Sequence, residues 1–220
     1  MKIIELNKKA TDSNDRDAAL LRNSLTDRGI LLVNVMSSAG SGKTTLLSRL
    51  IRDLHDHIPI GVMEADIASD VDARTIETLG ARAIQVHTGG CCHMDAQMTK
   101  ESLDAFGMQE PSILFLENVG NLICPAEFDT GAQKNVMLLS VPEGDDKPLK
   151  YPLMFQKSDA LIITKIDAAP YFNFDFDAAV RRAKALNPGI EIFPVSAKAG
   201  ENMEPLENWL LSEQANLKKN

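Results

Sequence analysis

The chain has 220 residues, 44% of them apolar, and a formal net charge of −8, enough for one domain with a well-buried core. No run approaches the about 18 apolar residues of a membrane span, and the opening MKIIELNKKATDSND lacks a secretory apolar region, so a cytoplasmic protein is expected. No block of Lys and Arg occurs beyond Lys218 and Lys219 next to Asn220, which argues against a nucleic-acid surface, and three cysteines without a signal peptide argue against a disulfide framework.

In chain order, Asn14 to Arg28 carries Ala18, Leu20, Leu21 and Leu25 at near-helical spacing and stops at Gly29, which predicts a helical extension over 1–29. The remainder, 30–220, reads as one nucleotide-binding domain. Apolar runs at 30–36, 58–65, 81–87, 112–118, 135–141, 160–166 and 190–196 predict buried strands, and helical patterns such as 44–55 and 177–186 follow most of them. Continuous apolar strands alternating with helices imply an α/β fold. Its mostly parallel central sheet would have about seven strands and helices on both faces. Ligands of such sheets sit at the carboxyl ends of the strands, where every motif below falls. No internal repeat is present.

The first strand leads into Ser37-Ser38-Ala39-Gly40-Ser41-Gly42-Lys43-Thr44 and then directly into a helix. This is a Walker A loop in its proper strand–loop–helix setting, with Ser37 where the first Gly usually stands. Gly40 and Gly42 let backbone N–H groups approach phosphate oxygens, and the helix start presents its positive dipole end to the same anions. Lys43 is expected at the β- and γ-phosphates and the Thr44 hydroxyl on Mg²⁺, with Ser41 and Thr45 completing the loop's nucleotide contacts.

The sixth strand ends in Thr164-Lys165-Ile166-Asp167, and Ser196-Ala197-Lys198 follows the seventh. The Asp167 carboxylate can accept from guanine's ring N–H and amine, which adenine does not present. Lys165 can lay its stem over the base, and the 196–198 turn can offer a backbone N–H to the guanine carbonyl. Thr164 stands where GTPases usually carry Asn. GTP is therefore the expected nucleotide, and competition with ATP discriminates against a P-loop kinase or ATPase acting on a small metabolite. Asp66 closes the second strand and Glu117 the fourth, and both are expected near Mg²⁺ with Thr44. Lys43, Asp66 and Glu117 form the expected catalytic set. Asp70 and Asp72 read equally well as ordinary acidic loop residues. No Gln or Arg is obviously placed to orient the attacking water, so intrinsic turnover should be slow.

The third strand ends in His87-Thr88-Gly89-Gly90-Cys91-Cys92-His93, and Cys124 follows the fourth. All three cysteines thus fall on two loops at the same end of elements taken to be neighbours. Thiolate and imidazole suit Zn²⁺ or, in a flatter geometry, Ni²⁺. Cys92, His93 and Cys124 supply three ligands, one short of a closed structural zinc site. A switch without metal, its cysteines simple core residues, is the alternative that elemental analysis of Cys92→Ala separates.

The 37–44 loop, Cys92-His93-Met94-Asp95-Ala96, ENVGNLICP (117–125) and EGDDKPLKYP (143–152) together resemble the hydrogenase nickel-incorporation GTPase (HypB) family, from about Ile30 to Trp209. The resemblance implies the SIMIBI branch of P-loop NTPases, whose members dimerise across the nucleotide. It also implies GTP-driven delivery of nickel to a [NiFe] hydrogenase large-subunit precursor alongside a companion nickel-maturation protein. By resemblance the metal ligands fall on Cys92, His93 and Cys124, the base-reading carboxylate on Asp167, and a lysine touching the partner subunit's nucleotide on Lys150. The chain departs from the family in having no His-rich stretch near its start, in Gln97 where some members carry His, and in the extra thiol of Cys91. The Gly-Gly-Cys-Cys-His segment is also similar to the metal loop of the urease accessory GTPase (UreG) family, the competing recipient class.

Overall fold

The computed structural model describes residues 7–66, 76–107 and 110–217. Asp70, Asp72 and the terminal Lys218 and Lys219 lie outside them. Seven strands form one sheet: β1 (Leu31–Ser37), β2 (Ile60–Asp66), β3 (Arg82–His87), β4 (Ile113–Glu117), β5 (Lys134–Ser140), β6 (Ala160–Thr164) and β7 (Glu191–Pro194). Their order is β3-β2-β4-β1-β5-β6-β7, and every pairing is parallel. The sheet is thus wholly rather than mostly parallel, and all seven carboxyl ends lie along one edge.

Burial explains the sequence pattern. β1, β4 and β6 are buried at every position, as strands covered on both faces require. The edge strands β3 and β7 are only partly buried, which is why the exposed Arg82 and Glu191 are tolerated there. One face is covered by α2 (Lys43–Leu54) and α8 (Met203–Leu217). Leu46, Leu47, Leu50, Ile51 and Leu54 make one stripe of α2 and pack with Val33, Val35, Phe115 and Leu206. The other face holds α1 (Asn7–Asp27) and α3 (Ala96–Phe106) over β2 and β4, with α6 (Pro152–Lys157) and α7 (Phe176–Leu186) over β5 and β6. Asp95 caps α3 by accepting from the Met98 amide at 2.8 Å, and Asp175 caps α7 from the Ala178 amide at 2.9 Å. Two single-turn helices, α4 (Cys124–Glu127) and α5 (Lys147–Lys150), sit in the loops at the carboxyl edge.

The opening helix starts at Asn7, earlier than the apolar spacing predicts, because NKKATDS has no apolar period to read. It is bound tightly to the sheet domain. Ala18, Leu21 and Leu25 are buried, the last two against Met63, Met94, Leu114 and Leu116. Arg22 donates to both Asp129 carboxylate oxygens at 2.6 and 2.8 Å and to the Ala132 carbonyl at 2.8 Å. Among the described residues no helix is long and apolar enough to cross a membrane.

Candidate nucleotide cleft and thiol site

β1 runs into the phosphate loop, and its neighbours β4 and β5 leave a crevice at their carboxyl ends. Gly42 adopts φ 102° immediately before α2, a conformation that suits glycine. The loop is held by its own hydroxyls. Ser41 Oγ donates to Ser37 Oγ at 2.6 Å, and Lys43 Nζ donates to the same Ser37 oxygen at 3.1 Å. Ser37 therefore does with a side chain what the usual glycine leaves to backbone alone. Ser38 donates to Glu143, whose other oxygen accepts from the Ser140 amide and hydroxyl at 2.9 and 2.7 Å.

A cleft of about 440 Å³ opens over this loop, lined among others by Gly40, Gly42, Lys43, Thr44, Thr45 and Glu117. Thr44 Oγ1 donates to Glu117 at 3.1 Å. Glu64 lines the same cleft and is the register partner of Glu117 on β2, so two carboxylates stand side by side, both more than nine-tenths buried. The sequence reading passed over Glu64 in favour of Asp66. The signal available was a lone acid inside an otherwise apolar strand. Asp66 does end β2, but its side chain lies outside the described residues.

A second pocket of about 270 Å³ adjoins the first, sharing Gly42, Thr45 and Lys165. Asp167, Ser196, Ala197 and Lys198 complete its wall. Asp167 accepts from Ser196 Oγ at 2.6 Å, Lys165 Nζ donates to the Gly40 carbonyl at 2.7 Å, and Thr164 Oγ1 donates to the Ser41 carbonyl at 2.7 Å. Thr164 thus ties β6 to the phosphate loop, which accounts for a hydroxyl at that position. Lys150 lies apart from both pockets. It is 59% exposed on α5 and pairs with Asp146 at 2.6 Å; that contact holds the carboxyl below, and the ammonium above, their usual pKa.

The structure brings Cys92, His93 and Cys124 together, their candidate ligand atoms all within 4.8 Å of one another. The two sulfurs are 2.7 Å apart and Cys92 Sγ lies 3.8 Å from His93 Nδ1. Cys91, although exposed, is outside this group. The strands feeding the two loops are not neighbours as expected: β2 lies between β3 and β4, and the loops meet beyond its end. The His93 ring stacks on Phe128 at 3.8 Å. Burial holds its imidazole below the usual pKa, against the opposing pull of Asp95 and Glu127. The contact with the Cys92 thiol, and then burial, push the Cys124 thiol up.

One segment joins thiol site and cleft. It starts at Glu117 beside Thr44 and ends at Cys124. Gly120 passes so close to the phosphate loop that a Cβ there would lie 3.1 Å from Ala39 backbone atoms. Asn118, fully buried, accepts from the Met94 and Val119 amides at 3.2 and 2.9 Å and donates to Asn34 of β1 at 3.0 Å. Asn118 and Asn121 were not singled out from sequence, since polar loop residues carry no periodic signal.

Comparison with known proteins places this architecture. The family described as CobW/HypB/UreG, nucleotide-binding domain, matches residues 31–194. The hydrogenase maturation factor HypB of Escherichia coli (strain K12) is 44% identical over 209 residues, covering 95% of this chain and 72% of that protein. The crystal structure of HypB from Helicobacter pylori in complex with nickel superposes with a TM-score of 0.87 at 39% identity, over 93% of this chain and 96% of that one. The signal recognition particle 54 kDa protein of Aeropyrum pernix K1, in complex with GDP, superposes with a TM-score of 0.57 over 86% of this chain and 50% of that one. At 13% identity, that likeness speaks to the P-loop GTPase fold alone. Identity on this scale, sustained over nearly the whole chain, settles its kinship: the chain belongs to the HypB branch of the CobW/HypB/UreG family of nucleotide-binding domains.

Proposed function

We propose that this chain is a GTP-hydrolysing metallochaperone of the cytoplasm that delivers nickel into a [NiFe] hydrogenase precursor. One observation carries the reading: the loop that ends in Cys124 begins at Glu117, the carboxylate that accepts from Thr44 of the phosphate loop. Occupancy of the cleft and occupancy of the thiol site therefore act on one short segment, and linkage makes any effect on binding reciprocal. The relatives' names, hydrogenase maturation factors, and the nickel held by the Helicobacter pylori relative support the cargo and its destination.

In this reading Gly40, Ser41, Gly42, Lys43, Thr44 and Thr45 hold the phosphates, while Lys165, Asp167 and the 196–198 turn read guanine. Thr44 and Glu117, with Asp66, hold Mg²⁺, which neutralises charge developing on the phosphates. The adjacent Glu64 fits that assignment, because two buried carboxylates side by side are relieved by a divalent cation. Two thiolates and one imidazole suit nickel, and also zinc. The set is short of a closed tetrahedral shell, as befits a cargo that must leave. Lys150, exposed on α5, is free of both local pockets and suited to reach the nucleotide of a second copy, so that GTP closes a homodimer. The precursor and a companion nickel-maturation protein complete the partners.

Nickel titration of the nucleotide-free protein and of its complex with a non-hydrolysable GTP analogue tests the coupling. The expected result is a different nickel affinity in the two states, and identical affinities would end the proposal. A second recipient has one observation in its favour: Helicobacter relatives at 38 and 39% identity are named hydrogenase/urease maturation factors. Loss of urease rather than hydrogenase activity on deleting the gene would favour it.

A further inference from the structure

The two thiols meet at the surface, beside packed neighbours such as Met94, Leu122 and Ala126. Cys92 is exposed, and Cys124 opens a helix of only four residues whose N-cap, Ile123, offers no side-chain hydrogen bond. One side chain spans both loops. Asn121 Nδ2 donates to the Cys92 carbonyl at 2.5 Å, and Asn121 Oδ1 accepts from the Ile123 and Cys124 amides at 2.8 and 3.0 Å. We propose that Asn121 is the positioning residue of the nickel site, a clamp that presets the approach of the Cys92 and Cys124 sulfurs. The inference rests on the reading of Cys92, His93 and Cys124 as nickel ligands.

The chemistry asks for an asparagine. A donor must face one loop and an acceptor the other, from a single short planar group. Aspartate keeps the acceptor and loses the donor. Serine is too short to span both loops, and alanine keeps neither contact. The stack of His93 on Phe128 also links the two segments, but through the ring and not through the Cys92 backbone. The other hydrogen bonds on the Cys92 loop are remote from the sulfurs, Thr88 Oγ1 donating to the Cys91 carbonyl at 2.8 Å and Asn118 holding the Met94 amide. The Thr88 tie stays within its own loop and the Asn118 tie reaches only Met94, so neither fixes the two sulfurs against each other. Without Asn121 the stack of His93 on Phe128 still joins the two segments, but the tie between the Cys92 backbone and the Cys124 turn is lost, and the cost of ordering it comes out of the binding free energy of the ion. Partners of this outer kind are worth about 10–100-fold in metal affinity.

The test uses the full chain with Asn121→Ala, Asn121→Asp and Cys92→Ala, each titrated with Ni²⁺ against a chromophoric chelator. The thiolate-to-nickel charge-transfer band is followed at saturation, and GDP affinity and Tm are measured without metal. Cys92→Ala should lose the band. Both Asn121 variants should bind nickel about 10–100-fold more weakly with an altered band, while GDP affinity stays at the parent value. The added negative charge of Asn121→Asp would by itself favour a cation, so a weakening there reports the lost donor bond and the repulsion of the new carboxylate oxygen by the Cys92 carbonyl. Parent-like nickel binding in both Asn121 variants, with Cys92→Ala deficient, overturns the clamp and leaves the site intact. Parent-like binding in Asn121→Asp alone also overturns it, because the tether to Cys92 would then be dispensable. That arm decides if Asn121→Ala fails to fold. Parent-like binding in Cys92→Ala removes the nickel site itself and the clamp with it.

Discussion

The nucleotide cleft and the thiol site lie at one edge of the same sheet and are built on opposite principles. The cleft is made from strand ends and a helix start, with Ser37, Ser41 and Thr164 buried and hydrogen-bonded to one another's loops. The thiol site is made from two loops, and its sulfurs face each other through one bridging side chain and one stacked ring.

Substitutions that touch one region and spare the other test that contrast. The largest effect is expected for Lys43→Ala, which removes the ammonium that the proposed function assigns to the phosphates. GTP turnover should fall by about 10²–10³-fold, while nickel affinity of the nucleotide-free protein stays at the parent value. A simultaneous loss of nickel binding would mean that the thiol site depends on the phosphate loop for its shape. Asp167→Asn comes next. It replaces the acceptor of charge-assisted hydrogen bonds worth about 1.5–3 kcal/mol, so GTP affinity should drop about 10–100-fold. The preference for GTP over ITP, which lacks the exocyclic amine, should shrink with it, as competition against labelled GDP will report.

The third prediction concerns pH. The Cys124 thiol is pushed up by its contact with Cys92 and by burial, whereas burial moves the His93 imidazole down. Nickel binds the deprotonated forms, so the raised Cys124 thiol, more than the lowered imidazole, holds the proton that competes with it. Nickel affinity should rise with pH through the neutral range, by about tenfold per unit for each proton displaced, and level off above the thiol pKa. GDP affinity should stay flat over the same interval. The smallest effect is expected for Gly120→Ala. A methyl 3.1 Å from the Ala39 backbone overpacks the seam between the regions and should cost about 1–3 kcal/mol of stability, seen as a lower Tm.

Much of this architecture could be read in the sequence. All seven strands lie within the predicted apolar runs or one residue beyond them, because strands covered on both faces leave an unbroken hydrophobic signature. The phosphate loop was equally legible, since its glycines and lysine answer to one ligand shape. What stayed hidden was whatever depends on distant contacts. Cys92 and Cys124 are 32 positions apart, on loops that follow strands that do not pair, so spacing located the loops and only the fold brought the sulfurs together. Glu64 was masked by the apolar run around it, and Asn121 by the ordinariness of asparagine in a loop. Ser38 and Glu143, 105 positions apart, belonged to motifs recognised separately and never connected.

That last pair has a mechanical consequence. Glu143 fastens the second residue of the phosphate loop to the turn at Val141–Glu143, and a few residues on Asp145 is pinned to α7 by Arg182 at 3.0 Å. The stretch from 140 to 150 therefore has one end tied to the phosphate loop and the other carrying Lys150 on the protein's exterior. If GTP closes a homodimer as proposed above, this stretch is the route by which a shift of Ser38 would reach Lys150.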